Sequence, residues 1–243
     1  MKSKLNDCKR LRKLTKINYL KDIAKSNKPF IIYKSDKGFD LYTDFSKKVI
    51  LTNNNIKDFI NKATKFKFKK KETDIFIGFF GYEILNNLID VKIKKQKTIN
   101  FPKGIFYKPE TKIKFSNNLE YKKSRSSNPN DLFKININKK SYKIIFDKFK
   151  KKIKSGETYQ IKICTKYSNK SKIDALDFFG RLVKSNMAPE AFMIKDKNYS
   201  IISCSPENLI TKKNNFITTK PIAGTLKKTK KLDKNKALIF FRK

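Results

Sequence analysis

The sequence predicts an α+β fold in which antiparallel sheets pack with helices, and three observations carry that prediction. Short runs rich in Ile, Phe, Tyr and Val, separated by Asn, Asp, Gly and Ser, read as strands joined by turns. Two longer stretches space their apolar residues at helical intervals instead. The elements do not alternate strand, helix, strand, so a parallel βαβ sheet is not expected.

Residues 1–28 are lysine-rich with scattered Leu and Ile, which predicts a short helix over 11–25. Pro29 opens a strand at 30–33, Ser35-Asp36-Lys37-Gly38 supplies turn chemistry, and 39–43 returns as a second strand, together a hairpin. Residues 45–51 add apolar β-branched content. Asn53-Asn54-Asn55 marks a turn before a short helix at 56–64. In Lys65-Phe66-Lys67-Phe68-Lys69-Lys70-Lys71 phenylalanine alternates with lysine, as in a strand with one wet face. Residues 75–83 form a buried apolar run broken by Gly78 and Gly81, and two further strands fall at 104–108 and 111–115.

The polar stretch 122–130 is the clearest linker, and with its flank sets a boundary segment of 122–140 after an amino-terminal region of 29–121. Beyond it, Tyr142, Ile145, Phe146, Phe149 and Ile153 recur on one helical face, with Ser141 as N-cap and Gly156 where a helix end takes a left-handed residue. Tyr159, Ile161, Ile163, Thr165 and Tyr167 alternate with polar residues as in a strand. Asp174 caps a helix carrying Leu176, Phe179, Leu182 and Val183 that ends near Asn186. Four strands at meander spacing follow, at 191–195, 199–204, 208–212 and 216–220.

Composition excludes several function classes. The chain has 243 residues, 38% of them hydrophobic, with 21 Phe, which suffices for a core. It has no histidine, and its three cysteines, Cys8, Cys164 and Cys204, stand far apart, which argues against a zinc site, a disulfide framework and histidine-based catalysis. No apolar run reaches the ~20 residues that cross a bilayer, so a cytoplasmic protein with no membrane partner is expected. The net charge of +39 invites a nucleic-acid reading. Against it, only Arg10, Arg12, Arg125, Arg181 and Arg242 are arginine, the residue that base readout and phosphate clamping favour, and the lysines spread from end to end. The composition is that of an AT-rich coding sequence, and nucleic acid is disfavoured as a partner.

There is no P-loop, GxGxxG, GxSxG or HExxH motif. Two segments stand out: Ser205-Pro206-Glu207, a tight turn bearing a carboxylate, and Pro221-Ile222-Ala223-Gly224-Thr225, a corner of small residues ending in a hydroxyl. Such a corner can offer a backbone N–H and a hydroxyl to a carboxylate ligand with no side chain in the way.

Taken in order, Gly81-Tyr82-Glu83, Ser155-Gly156-Glu157-Thr158-Tyr159-Gln160-Ile161, Asn186-Met187-Ala188-Pro189, Ser203-Cys204-Ser205-Pro206-Glu207 and Thr219-Lys220-Pro221-Ile222-Ala223-Gly224-Thr225 resemble the successive motifs of the chorismate-utilising enzymes. The resemblance is to component I of anthranilate synthase and of aminodeoxychorismate synthase. It runs from about residue 30 to 225 and implies an anthranilate synthase component I-like fold, with 141–225 as the first part of the chorismate-binding domain. It further implies chorismate as substrate, Mg2+ as cofactor, and a glutamine amidotransferase subunit (component II) as the partner that delivers ammonia. In the anthranilate branch, amination is followed by loss of pyruvate.

Carried over residue by residue, the resemblance makes Ala223, Gly224 and Thr225 substrate-binding positions. Typical aminodeoxychorismate synthases carry a nucleophilic lysine where this chain has Ala223, and alanine cannot attack the ring, which favours anthranilate as product. The short amino terminus, Gly78-Phe79-Phe80-Gly81-Tyr82 and Gly224-Thr225-Leu226 look at least as much like the aminodeoxychorismate type, so both branches stay open. Ser35 matches the serine of the family's regulatory motif, although Tyr33-Lys34 depart from it, and Pro189-Glu190-Ala191 stands where regulated members carry Pro-Tyr-Met. Family members place their metal-binding glutamates and general-base histidine beyond the Pro-Ile-Ala-Gly-Thr motif, and here 18 residues follow Thr225. The expectation is therefore an incomplete fold with a truncated tail at 226–243, holding no metal ligands or catalytic residues of its own.

Overall fold

The computed structural model describes residues 19–35, 38–64, 71–89, 101–115, 133–170, 173–205, 207–222, 235 and 238–239. The described residues mix helices with antiparallel sheet, an α+β architecture. The chain divides into one unit of residues 1–120 and 179–243 and a second of 121–178.

The first unit is built on a six-stranded sheet. Helix α1 (19–25) leads into β1 (Phe30–Ser35) and β2 (Gly38–Ile50). Then come α2 (Ile56–Thr64), β3 (Ile77–Phe80), a 3-10 turn at Tyr82–Ile84, α3 (Leu85–Leu88) and β4 (Gly104–Phe115). After the second unit the chain returns with β7 (Glu190–Lys195), β8 (Ser200–Ser205), β9 (Asn208–Lys213) and β10 (Phe216–Lys220). The sheet order is β3-β4-β2-β1-β7-β8, every pair antiparallel, and β9–β10 is a separate two-stranded sheet. The four carboxy-terminal strands are therefore not one meander: the ladder breaks at residues 205–207, between β8 and β9.

Burial explains the centre of the sheet. Ile31 faces Tyr42 on one side and Ile194 on the other, while Ile32 faces Leu41 and Met193. Successive strand residues point to opposite faces, so these are two apolar rows back to back, and all six residues are buried. Phe39 meets Phe179 edge-on at 6.1 Å. On the flank, Leu51, Ile56, Ile84 and Phe106 make a second core cluster, with Phe59, Ile60 and Phe76 packed against it. A leucine- or isoleucine-sized group removed from either core would cost about 2–5 kcal/mol.

β4 is one strand where the sequence predicts two, because Pro109 sits opposite Phe45 beside a register shift between Phe45 and Lys47. A bulge is where a strand tolerates proline, which cannot donate to the ladder. Asp44, at the same bend, has a left-handed φ of 51°. Residues 75–83 are not the buried run the sequence predicts: they are half-buried except for the exposed Phe80 and Tyr82, and pass from β3 into the 3-10 turn; Gly78 is required there, because a Cβ would lie 1.9 Å from the Ile105 carbonyl oxygen. The lysine–phenylalanine alternation at 65–71 and the linker at 122–130 fall outside the described residues, apart from Lys71.

The second unit holds β5 (Lys134–Ile135), α4 (Lys139–Lys154) and β6 (Tyr167–Ser168). Its N-cap is Asn138, whose side chain accepts from Ser141 N at 2.9 Å, so Ser141 lies inside the first turn and is not the cap. Asparagine three residues earlier intercepts one of the orphan donors of the helix start. Gly156 follows the helix with φ +75°, the left-handed ending expected there. Residues 160–166 are not a strand. Exposure still alternates from 161 to 166, but among the described residues only Lys134–Ile135 supplies a ladder, and it reaches only Tyr167 and Ser168. Alternation fixes a face; a strand also needs an edge to pair with. α5 (Ala175–Asn186) bridges the unit boundary and is capped as expected, Asp174 Oδ1 accepting from Asp177 N at 2.8 Å.

Candidate functional site

Two polar constellations sit on the six-stranded sheet. The first lies where β1 ends and β7 begins. The ladder between them ends with Tyr33 opposite Phe192, two residues before the end of β1 at Ser35 and two after the start of β7 at Glu190. Side chains close this end: the Tyr33 hydroxyl donates to Glu190 Oε2, and Lys34 Nζ donates to the carbonyl of Ala188. Asn208 Nδ2, at the start of β9, donates to Glu190 Oε1 at 3.2 Å. Ser205 pairs with Glu190 across β7 and β8, and its hydroxyl accepts from Glu207 N at 3.2 Å, which turns the chain out of β8. Burial pushes the Cys204 thiol pKa up, opposed by the Lys34 ammonium.

The second constellation surrounds Asp196, just past β7. Its Oδ2 accepts from Lys48 Nζ at 2.5 Å and from the Tyr107 hydroxyl at 2.6 Å, while Oδ1 accepts from Lys197 N at 2.8 Å. Burial works against the charge on Asp196, but the Lys48 and Tyr107 hydrogen bonds outweigh it and hold the pKa down to about 2. The Tyr107 hydroxyl is pushed well above its ordinary range, first by burial and then by donating to this carboxylate. Burial pushes Tyr199 up to about 12, and its buried hydroxyl sits beside Tyr107 and Asp196 without making a well-formed hydrogen bond to either. A carboxylate so held stays ionised at neutral pH, with three of its roughly four lone-pair sites already accepting hydrogen bonds.

Of the residues singled out from sequence, the structure brings Ser35 and Pro189 to one end of β1 and β7. Ser35 is half-buried and pairs with Gly38, and Pro189 is exposed before β7. Ala223, Gly224 and Thr225 lie outside the described residues, which reach the exposed Pro221 and Ile222. A cleft of about 490 Å³ opens beside Tyr19, Asp22, Thr43 and Asp44, and neither Ser35 nor Pro189 lines it. Among the described residues no group of three or more His, Cys, Asp or Glu could hold a metal ion. The described residues thus do not fit a magnesium site. Sequence reasoning missed Lys48, Asp196, Tyr107, Tyr33, Glu190 and Asn208 as interacting groups. Their meeting depends on β1 pairing with β7 across more than 150 residues, for which no local pattern gives a signal.

Comparison with known proteins decides the family. The family model for chorismate binding enzymes matches residues 18–239, nearly the whole chain. The chain belongs to the chorismate binding enzyme family. Among its relatives, an anthranilate synthase component I-like protein of Synechocystis is 23% identical over 189 residues, which is 68% of this chain and 39% of the relative. Aminodeoxychorismate synthase component 1 of Bacillus subtilis is 29% identical over 92 residues, 38% of this chain and 20% of the relative. Anthranilate synthase component 1 of Arthrobacter globiformis is 32% identical over 106 residues, 42% of this chain and 20% of the relative. This family member therefore spans well under half the length of the curated relatives it matches, and those relatives carry both branch names. No described helix is long and apolar enough to cross a membrane.

Proposed function

We propose that this chain is a component I-type chorismate-binding polypeptide of the anthranilate branch, in an anthranilate synthase-like fold, and that Gly224 and Thr225 contact the substrate. The family match over residues 18–239 carries the reading. In it, the Gly224 N–H and the Thr225 hydroxyl donate to a chorismate carboxylate, and Ala223 leaves space at the ring and offers no nucleophile. An amidotransferase partner and a cytoplasmic setting belong to the same proposal, and the magnesium that the family resemblance implies would need ligands from outside this chain. Aminodeoxychorismate formation is the second reading, favoured by the Bacillus subtilis relative.

The chain contains no histidine, so the acid–base step that the family resemblance assigns to one has no carrier here. Binding without turnover is the expected behaviour of the 243-residue chain. The test is calorimetric titration with chorismate, alongside incubation with chorismate, ammonium and magnesium followed by anthranilate fluorescence. Saturable binding with no product is expected. Absence of saturable binding would overturn the substrate assignment, and anthranilate formation would overturn the catalytic incompleteness.

A further inference from the structure

Among the described residues, almost nothing covers the β9–β10 hairpin. All of β10 and every residue of β9 except Asn208 are exposed, Leu209 at 83% and Phe216 at 76% among them. An isolated two-stranded hairpin is marginal in water, so its direction must be set by whatever fixes its ends. At its start, Asn208 is the half-buried residue, and its side-chain amide donates to Glu190 Oε1 at 3.2 Å. Glu190 is itself held from the other side, because its second oxygen accepts from the Tyr33 hydroxyl on β1. The carboxylate thus uses both oxygens to join the centre of the large sheet to the first residue of the hairpin.

We propose that Glu190 is a positioning residue: through Asn208 it orients the β9–β10 hairpin, which precedes residues 221–225 in the chain. This rests on the proposal above that Gly224 and Thr225 contact chorismate, and it adds the group that would aim them. Glu190 touches no substrate in this scheme. It acts through a hydrogen bond between a carboxylate and an amide, a pairing with a defined polarity that can be broken and rebuilt by design.

The experiment compares three versions of the full chain: unaltered, Asn208→Asp, and the double variant Glu190→Gln with Asn208→Asp. Asn208→Asp sets two carboxylates against each other, and the double variant restores a donor and an acceptor with their roles exchanged. Hydrogen exchange of the amides at 208–220 and the chorismate Kd are read in each. Expected are hairpin exchange faster by about tenfold and a Kd weaker by about tenfold in Asn208→Asp, both recovered to within about threefold in the double variant, with β1 and β7 amides unchanged throughout. Hairpin exchange that is unaffected by Asn208→Asp, or not recovered in the double variant, overturns the tether. Hairpin exchange that follows the predicted pattern while the unaltered chain binds no chorismate supports the tether and overturns the substrate reading of 223–225.

Discussion

Replacing Asp196 tests the energetics of the sheet where charge, burial and hydrogen bonding meet. Its carboxylate receives Lys48 Nζ at 2.5 Å, the Tyr107 hydroxyl at 2.6 Å and Lys197 N at 2.8 Å, and its side chain is 7% exposed. A pKa held at about 2 against an ordinary 3.8 corresponds to about 2 kcal/mol of stability, at about 1.4 kcal/mol per unit. Lys48 is 40% exposed, so water replaces part of what it loses. Tyr107 is 1% exposed, and Asp196→Ala strands its hydroxyl at about 1–3 kcal/mol. Asp196→Ala should therefore cost about 3–4 kcal/mol, and Asp196→Asn, which leaves Tyr107 an acceptor, about 2 kcal/mol. The folded pKa is depressed, so this stability is present in full above about pH 4 and is lost as pH falls towards 2. Urea unfolding at constant m should show the midpoint of Asp196→Ala lowered by about 1 M. The gap between wild type and Asp196→Asn should hold constant from pH 7 to 5 and close below 4. A midpoint shift under about 0.2 M for Asp196→Ala, or a gap that stays flat to pH 2, would refute the reasoning.

Other substitutions probe separate links. Tyr199→Phe removes a buried hydroxyl that sits beside Tyr107 and Asp196 without a well-formed hydrogen bond to either, and should leave the urea midpoint unchanged or raise it, by up to about 1 kcal/mol. Gly78→Ala drives a methyl group to 1.9 Å from the Ile105 carbonyl oxygen and should destabilise by about 3 kcal/mol or more, seen as loss of soluble, cooperatively unfolding protein. At Gly156 nothing lies within 4 Å of the added methyl, so Gly156→Ala should cost only the left-handed φ, about 1 kcal/mol, in thermal unfolding. Asn138→Ala should cost about 1 kcal/mol and increase hydrogen exchange in the first turn of α4, whereas Ser141→Ala, whose side chain is not the cap, should be nearly silent.

Local signals in this sequence were legible and long-range ones were not. The hairpin at 30–43, the turn and helix at 53–64, the Asp174 cap and all four carboxy-terminal strands follow from period, turn residues and caps. The continuity of β4 through Pro109 was hidden because the bulge that admits proline lies on the other strand, at Phe45–Lys47. Residues 159–166 carried a strand's alternation, but only Tyr167–Ser168 pairs, since pairing depends on a partner edge that a single segment cannot announce. For the site, ordered motifs identified the family, and the match over 18–239 bears that out. The side-chain network was illegible: Glu190, read only as a departure from the regulatory motif, is the residue that joins Tyr33 to Asn208. No spacing rule links positions 33, 190 and 208.

A chain of net charge +39 attracts any dianion, so binding alone is an ambiguous result. The decisive quantity is the part of chorismate affinity that persists in high salt and depends on one hydroxyl. Titration of the purified chain at 0.5 M salt, about where ~4 Å screening removes diffuse attraction, should give saturable chorismate binding, weakened about tenfold by Thr225→Ala and restored by Thr225→Ser. Equal affinities for the three proteins, or equal affinity for chorismate and an unrelated dicarboxylate such as isophthalate, would contradict the proposal that the Ala223-Gly224-Thr225 segment recognises the substrate.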